Sequence, residues 1–165
     1  MVDLQWRRVD YRYTGLDGTL TERPIDVRVD FFNPKLGFSS KISDNQRIYA
    51  FFGVGNREPN RDDLKESTPN SRPKPERLLD YEAGWALEKK PMRLNANLFF
   101  MDFFDQLALT GQLNDVGAAT RVNVPRSYRA GLELEAAMPF FGRGNWSANA
   151  AFSRNKIRRF EAFFD

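Results

Sequence analysis

Hydrophobic and polar residues alternate along this chain with a period of two, and the pattern recurs often enough to predict a protein built from strands. From Leu79 to Leu87 the odd positions carry Leu79, Tyr81, Ala83, Trp85 and Leu87, with Asp80, Glu82, Gly84 and Ala86 between them. From Tyr128 to Met138 the even positions are apolar or aromatic, and Arg129, Gly131, Glu133 and Glu135 alternate with them. The same arrangement spans Arg93 to Phe103, where Leu94, Ala96, Leu98 and Phe100 oppose Arg93, Asn95 and Asn97, and Asn145 to Ser153, where Trp146, Ala148, Ala150 and Phe152 are separated by Ser147, Asn149 and Ala151. Successive strand side chains point to opposite faces, so each segment has one apolar face. Each also runs to about the 9–11 residues that a tilted strand needs to cross a bilayer.

The N-terminal half follows the pattern less cleanly. Leu4 and Trp6 share one parity and Val9, Tyr11 and Tyr13 the other, a phase change at Arg7-Arg8 that a bulge would produce. Leu36, Phe38 and Ile42 define a second strand, whose start Pro34 is expected to limit. Ile48, Ala50, Phe52 and Val54 alternate with Tyr49, Phe51, Gly53 and Gly55, which makes both faces of a third strand apolar. Together these segments predict seven strands and no helix. The pairs Phe31-Phe32, Phe103-Phe104, Phe140-Phe141 and Phe163-Phe164 interrupt strict alternation.

The connections fall into two kinds in strict alternation. Short turns are expected at Ser43 to Gln46, Lys89 to Pro91 and Pro139 to Gly144, and long polar loops at Thr14 to Pro24, Asn56 to Arg77 and Asp105 to Pro125. That asymmetry is characteristic of outer-membrane barrels, whose short turns face the periplasm and long loops the exterior. The predicted fold is all-β, an antiparallel up-and-down meander of about seven strands forming part of a transmembrane β-barrel. The alternative is a soluble antiparallel β-barrel or sandwich acting as a binding module, with the apolar face turned inward as a core.

Composition leaves that choice open but narrows the chemistry. The 165 residues suffice for one domain, and no run of about 18 apolar residues predicts a membrane helix. A barrel averages two opposite faces, so a mean hydropathy of −0.58 is compatible with a membrane. With 25 Lys+Arg against 22 Asp+Glu interspersed along the chain, no nucleic-acid partner is expected. There is no histidine and no cysteine, which removes the usual general base, Ser-His and Cys-His pairs, disulfides and Cys-based zinc sites. No enzyme activity, cofactor or metal site is expected. Met1-Val2-Asp3-Leu4 carries no basic and apolar secretory leader, so the sequence reads either as cytoplasmic or as a piece of something larger.

Specific motifs favour the second reading. Ile48-Tyr49-Ala50-Phe51-Phe52-Gly53-Val54-Gly55-Asn56-Arg57-Glu58-Pro59-Asn60-Arg61-Asp62-Asp63 resembles the aromatic strand and Arg-x-Pro-Asn-like turn of TonB-dependent outer-membrane receptors. Pro75-Glu76 followed by Tyr81-Glu82-Ala83-Gly84, the aromatic strand end running into Asp105-Gln106, and Gly131-Leu132-Glu133 are similar to that family's later strands, in its order. The resemblance covers about Leu36 to Arg158. It implies an outer-membrane location and a wide barrel of about 22 strands. Residues 1–165 are then expected to form a partial barrel domain, lacking the signal peptide, the plug domain and the remaining strands. Expected partners are outer-membrane lipid, the TonB energy-coupling protein through regions absent here, and a small nutrient such as a ferric siderophore, cobalamin or haem.

On the residues themselves, Glu133 and Glu135 oppose Leu132 and Leu134, so they meet the lumen if the leucines meet lipid. Tyr81, Trp85, Tyr128 and Trp146 suit an aromatic girdle. The resemblance implies that outer loops hold the ligand, which makes Arg57, Glu58, Arg61, Asp62 and Asp63 the candidate binding residues, with Arg72 and Lys74 beyond and Asn114, Asp115, Arg121 and Asn123 in the third long loop. Guanidinium groups there suit anionic ligands in bidentate fashion.

Overall fold

The computed structural model describes residues 1–15, 24–65, 72–113, 119–140 and 144–158. Within them the chain forms β1 (Val2–Tyr13), β2 (Ile25–Ser43), β3 (Gln46–Arg57), the single helical turn α1 (Arg61–Lys65), β4 (Glu76–Lys89), β5 (Met92–Leu113), β6 (Ala119–Phe140) and β7 (Gly144–Arg158). The seven strands make one sheet in the order β1-β2-β3-β4-β5-β6-β7, each antiparallel to the next.

The register carries one apolar face across every strand. Leu36, Phe52, Tyr81, Phe100 and Ala130 stand in one cross-strand row, and Phe38, Ala50, Ala83, Leu98, Leu132 and Phe152 in a parallel one. Those side chains are uncovered: Phe38 is 62% exposed, Leu98 59% and Phe152 63%. Among the described residues the buried apolar side chains are instead Ile25, Phe31, Leu64, Phe103 and Val124, which gather toward the end bearing the long connections. A soluble sandwich would bury the alternating face as its core, whereas this sheet presents it outward. Tilted Phe52–Tyr81, Tyr81–Phe100 and Phe100–Tyr128 ring pairs, with centroids 5.0, 6.2 and 5.9 Å apart, edge the face near that end. Met138 and Trp146, paired in register, edge it at the other. Ten residues separate Tyr128 from Met138 along β6. At about 3.3 Å per residue and about 40° of tilt, that gives an apolar band about 25 Å tall, the height of a transmembrane barrel's.

Several expectations about local structure are corrected. No bulge interrupts β1 at Arg7-Arg8, since its pairing with β2 is unbroken from Val2↔Leu36 to Tyr13↔Ile25. The parity change instead marks where the ribbon leaves the apolar band: beyond Trp6 and Phe32 the outward face carries the cross-strand ion pairs Arg8–Asp30, Arg28–Asp10 and Arg12–Asp26. Pro34 does not start β2, which begins at Ile25 and pairs Pro34 with Leu4. The β2–β3 ladder ends at Lys35↔Gly53, so the missing proline N–H falls where β2 is bonded on one side only. Asn56 covers this gap by donating to the Phe32 carbonyl at 3.3 Å and to Asn33 Oδ1 at 2.7 Å. The expected loop from Asp105 to Pro125 is largely strand, with pairing continuing to Leu109↔Arg121 and Leu113↔Ala119. The ladder breaks at Asp105, whose φ of 50° sits opposite the donor-less Pro125, and its register shifts again between Leu109 and Leu113. The chain also contains a helix, α1, in the connection expected to be irregular.

The phenylalanine pairs acquire a reason. Phe31 is buried beneath the Arg7 guanidinium, 4.9 Å from the ring centre, while Phe32 faces outward beside Trp6 with 6.4 Å between rings. Phe103 is buried with Arg129 5.3 Å over it, and Phe104 lies outward beneath Arg77 and Arg126. In each pair one ring belongs to each face. Phe141, Phe163 and Phe164 lie outside the described residues.

Candidate functional site

The polar face of the sheet is a hydrogen-bonded wall. Tyr49 pairs in register with Gly84, Gly84 with Asn97, and Asn97 with Glu133. Gly84 has no side chain, so the Tyr49 ring lies flat over it, and a Cβ there would collide with that ring. The ring thereby crosses β4, and its hydroxyl donates to Asn97 Oδ1 at 2.7 Å. Asn97 Nδ2 donates in turn to Glu133 at 3.3 Å, and Asn95 Nδ2 to Glu135 at 2.8 Å. Phe99 lies over Gly131 in the same way, 2.6 Å from where a Cβ would stand. An aromatic covering a bare glycine on the neighbouring strand pins register on a sheet face that has no hydrophobic core behind it. The wall encloses a shallow hollow of about 630 Å³ floored by Asn95, Asn97, Glu133, Glu135 and Asn149.

The end bearing the long connections holds a second hollow, of about 410 Å³, lined by Arg57, Glu58, Asn60, Asp63, Leu107, Leu109 and Arg121. Its construction starts from α1. Asn60 Oδ1 accepts from the Asp63 N–H at 2.7 Å, and Asp63 Oδ2 accepts from the Asn60 N–H at 3.0 Å, a reciprocal cap that sets the short helix. The other Asp63 oxygen receives Arg121 Nη1 at 2.7 Å, tying α1 to β6. Arg57 donates to Glu76 at 3.1 Å, and the same Glu76 oxygen accepts the Leu107 N–H at 3.0 Å. Glu58 receives two hydrogen bonds from Arg7 of β1, at 3.1 and 2.5 Å. Burial alone would raise the Glu58 carboxyl, but the bonds from Arg7 and its own backbone hold it below the ordinary glutamate value. Behind the hollow, Asn123 staples Lys74 to the β5–β6 hairpin, accepting the Lys74 N–H at 2.7 Å and donating to the Lys74 carbonyl at 2.9 Å and the Asp105 carbonyl at 2.6 Å.

The structure thus brings Arg57, Glu58 and Asp63 together with Arg121. Asp62 is exposed on α1 beside them. Arg61 turns away, its guanidinium 5.1 Å over the Tyr13 ring. Asn114 and Asp115 lie outside the described residues. Sequence reasoning missed Arg7, Asn60, Leu107 and Leu109. The Asn60-x-x-Asp63 spacing was a usable cap signal; Arg7, 51 positions from Glu58, left none. The carboxylates are committed to internal pairs, whereas the Arg57 side chain stays 62% exposed and the Arg121 side chain 36%. Each uses one terminal nitrogen internally, so donors remain for an anionic ligand.

An open meander with an uncovered apolar face, a girdle at each edge and a hydrogen-bonded polar inner wall defines the wall of an outer-membrane β-barrel. The chain belongs to the TonB dependent receptor-like, beta-barrel family, whose model matches residues 2–163. Barrels of this family reside in the outer membrane, and its members are transporters rather than enzymes. Among solved structures the chain is similar to the copper transporter OprC, with a TM-score of 0.81 and 17% identity, covering 94% of this chain and 25% of that one. It is also similar to the FrpB iron transporter from Neisseria meningitidis (F3-3 variant), with a TM-score of 0.68 and 20% identity, covering 94% and 23%. The chain therefore spans about a quarter of the length of these neighbours. No curated protein matches it.

Proposed function

We propose that this chain is a section of the barrel wall of a TonB-dependent transporter that captures a small anionic organic nutrient at its outer end, with a ferric siderophore, cobalamin or haem as the candidate classes. The observation that carries the reading is the convergence of Arg57 and Arg121 on one hollow beside the apolar Leu107 and Leu109. Two guanidinium groups with spare donors beside aliphatic walls suit a ligand that is apolar in body and carries carboxylate or catecholate oxygens. The neighbours named as copper and iron transporters favour a metal-containing cargo. Among the described residues no three His, Cys, Asp or Glu side chains cluster as a metal site, and the arginines favour a chelate over a bare ion. In this reading β1 and β7 pair with further barrel strands, a plug fills the lumen against the Tyr49–Asn97–Glu133 wall, and TonB acts through that plug.

The test is binding of ferric catecholate, ferric hydroxamate, haem and cobalamin to the protein in detergent, followed by tryptophan fluorescence. The Arg57→Gln/Arg121→Gln variant is expected to lose roughly tenfold to a hundredfold in affinity for the preferred ligand, as two charge-assisted contacts are removed. Unchanged affinity for every ligand bound by the wild type overturns the assignment of this hollow.

A further inference from the structure

The outward face holds a cluster that transport does not use. Where the apolar band ends at the girdle, the register of β4 to β7 sets three rows side by side: Tyr81–Phe100–Ala130–Arg154, Leu79–Asp102–Tyr128–Lys156, and Arg77–Phe104–Arg126–Arg158. Five cations, four aromatic rings and a single carboxylate occupy this grid. Arg77 and Arg126, on the two strands flanking β5, stand with their guanidinium carbons 4.8 and 5.1 Å from the centre of the Phe104 ring. Arg126 also donates to both oxygens of Asp102, at 3.1 and 2.7 Å, which fixes its plane and offsets one charge. Among the described residues Arg154, Lys156 and Arg158, which follow one another along one face of β7, have no carboxylate partner.

Position decides what such a patch meets. It shares a face with Leu98, Leu132 and Phe152, which are directed at lipid tails, and it begins one strand pair beyond Phe152 at the end of the long outer connections. Cations at that depth stand at the headgroup level of the outer leaflet, where long side chains reach the interface and aromatic rings settle. We infer that this grid is a binding site for a phosphate-bearing lipid of the outer leaflet, its phosphate held by Arg154, Lys156 and Arg158 with the ordered Arg126, and its acyl chains laid on the apolar rows below. Arginine forks suit phosphate oxygens in bidentate fashion, and juxtamembrane basic clusters draw anionic headgroups electrostatically. The inference rests on the apolar face being lipid-facing.

The test uses the protein in nanodiscs of phosphatidylcholine alone or doped with lipid A, with retained lipid measured by native mass spectrometry and affinity by titration. The wild type is expected to enrich lipid A over phosphatidylcholine. The Arg154→Gln/Lys156→Gln/Arg158→Gln variant is expected to lose that preference by roughly a hundredfold, from about a factor of five for each cation removed. A variant replacing the two arginines by lysine, which keeps the charge, should retain most of it. Equal lipid A retention by wild type and triple Gln variant overturns the site. Full displacement by inorganic phosphate at matched concentration overturns the assignment to a lipid, since the acyl chains would then add nothing. Failure of both proteins to enter phosphatidylcholine nanodiscs at all is a distinct outcome that overturns the lipid-facing reading itself.

Discussion

Residues Ala150 and Ala151 are adjacent, identical and on opposite faces of β7, and they isolate the difference between the two sides of the sheet. Ala150 pairs with Leu134 in the apolar rows, and Ala151 pairs with Glu133 on the polar wall. Leu134 stands six residues from Tyr128 and four from Met138 on β6, which places Ala150 about 15 Å below one girdle and about 10 Å above the other, near the middle of the band. An arginine there costs about 2–4 kcal/mol in lipid, or about 30- to 700-fold in the folding equilibrium. The same arginine at Ala151 meets a carboxylate across a wet surface, where the pair is worth about 0–1 kcal/mol. Each variant is folded into phosphatidylcholine bilayers across a guanidinium series, with tryptophan fluorescence as the readout. Ala150→Arg should lower stability by at least about 1.5 kcal/mol more than Ala151→Arg. Equal effects, or the larger cost at Ala151, would refute the assignment of faces.

Other perturbations probe the joints of the structure. Gly84→Ala forces the Tyr49 ring off β4 and breaks its bond to Asn97, so denaturation should show a loss of about 1–3 kcal/mol, while Gly144→Ala, with nothing near its added methyl, should be nearly neutral. Asn60→Ala removes the cap of α1, costing about 1 kcal/mol locally and raising amide exchange around Asp63. The Glu58 carboxyl is held below its unfolded value, so its contribution is complete above the ordinary glutamate range and is lost as pH falls through the lower folded value. The acid limb of the stability curve should therefore flatten in Glu58→Gln, and an unchanged limb would show that Arg7 contributes nothing through this carboxylate.

Most of the strand plan was legible in the sequence because a sheet between lipid and water keeps one face apolar, and β4 to β7 hold that face at a period of two even where Phe103-Phe104 and Ala150-Ala151 make the opposite face apolar as well. The connections were legible as two classes, although β5 and β6 run further than polarity suggested, because Ala108, Val122 and Val124 keep the hairpin paired beyond Pro125. The N-terminal ribbon misled by its change of parity, yet Arg8-x-Asp10-x-Arg12 and Asp26-x-Arg28-x-Asp30 carry complementary charges that foretell their pairing. The candidate site was only half legible. Arg57, Glu58 and Asp63 share a connection and a local cap brings Asp63 to Asn60, but their partners Arg7, Glu76 and Arg121 arrive from other strands, and the residues around these three carry no complementary charge pattern that assigns each to its partner.

Because the chain contains no cysteine, a single-cysteine scan of β6 from Tyr128 to Met138 tests the central claim most directly. Each position carries a fluorescent label in bilayers and is challenged with a lipid-confined and a water-confined quencher. Even positions, including 130, 132, 134 and 136, should respond to the lipid quencher, and 129, 131, 133 and 135 to the aqueous one, with a period of two across the whole span. Even positions shielded from both quenchers, as in a packed soluble core, would contradict the account.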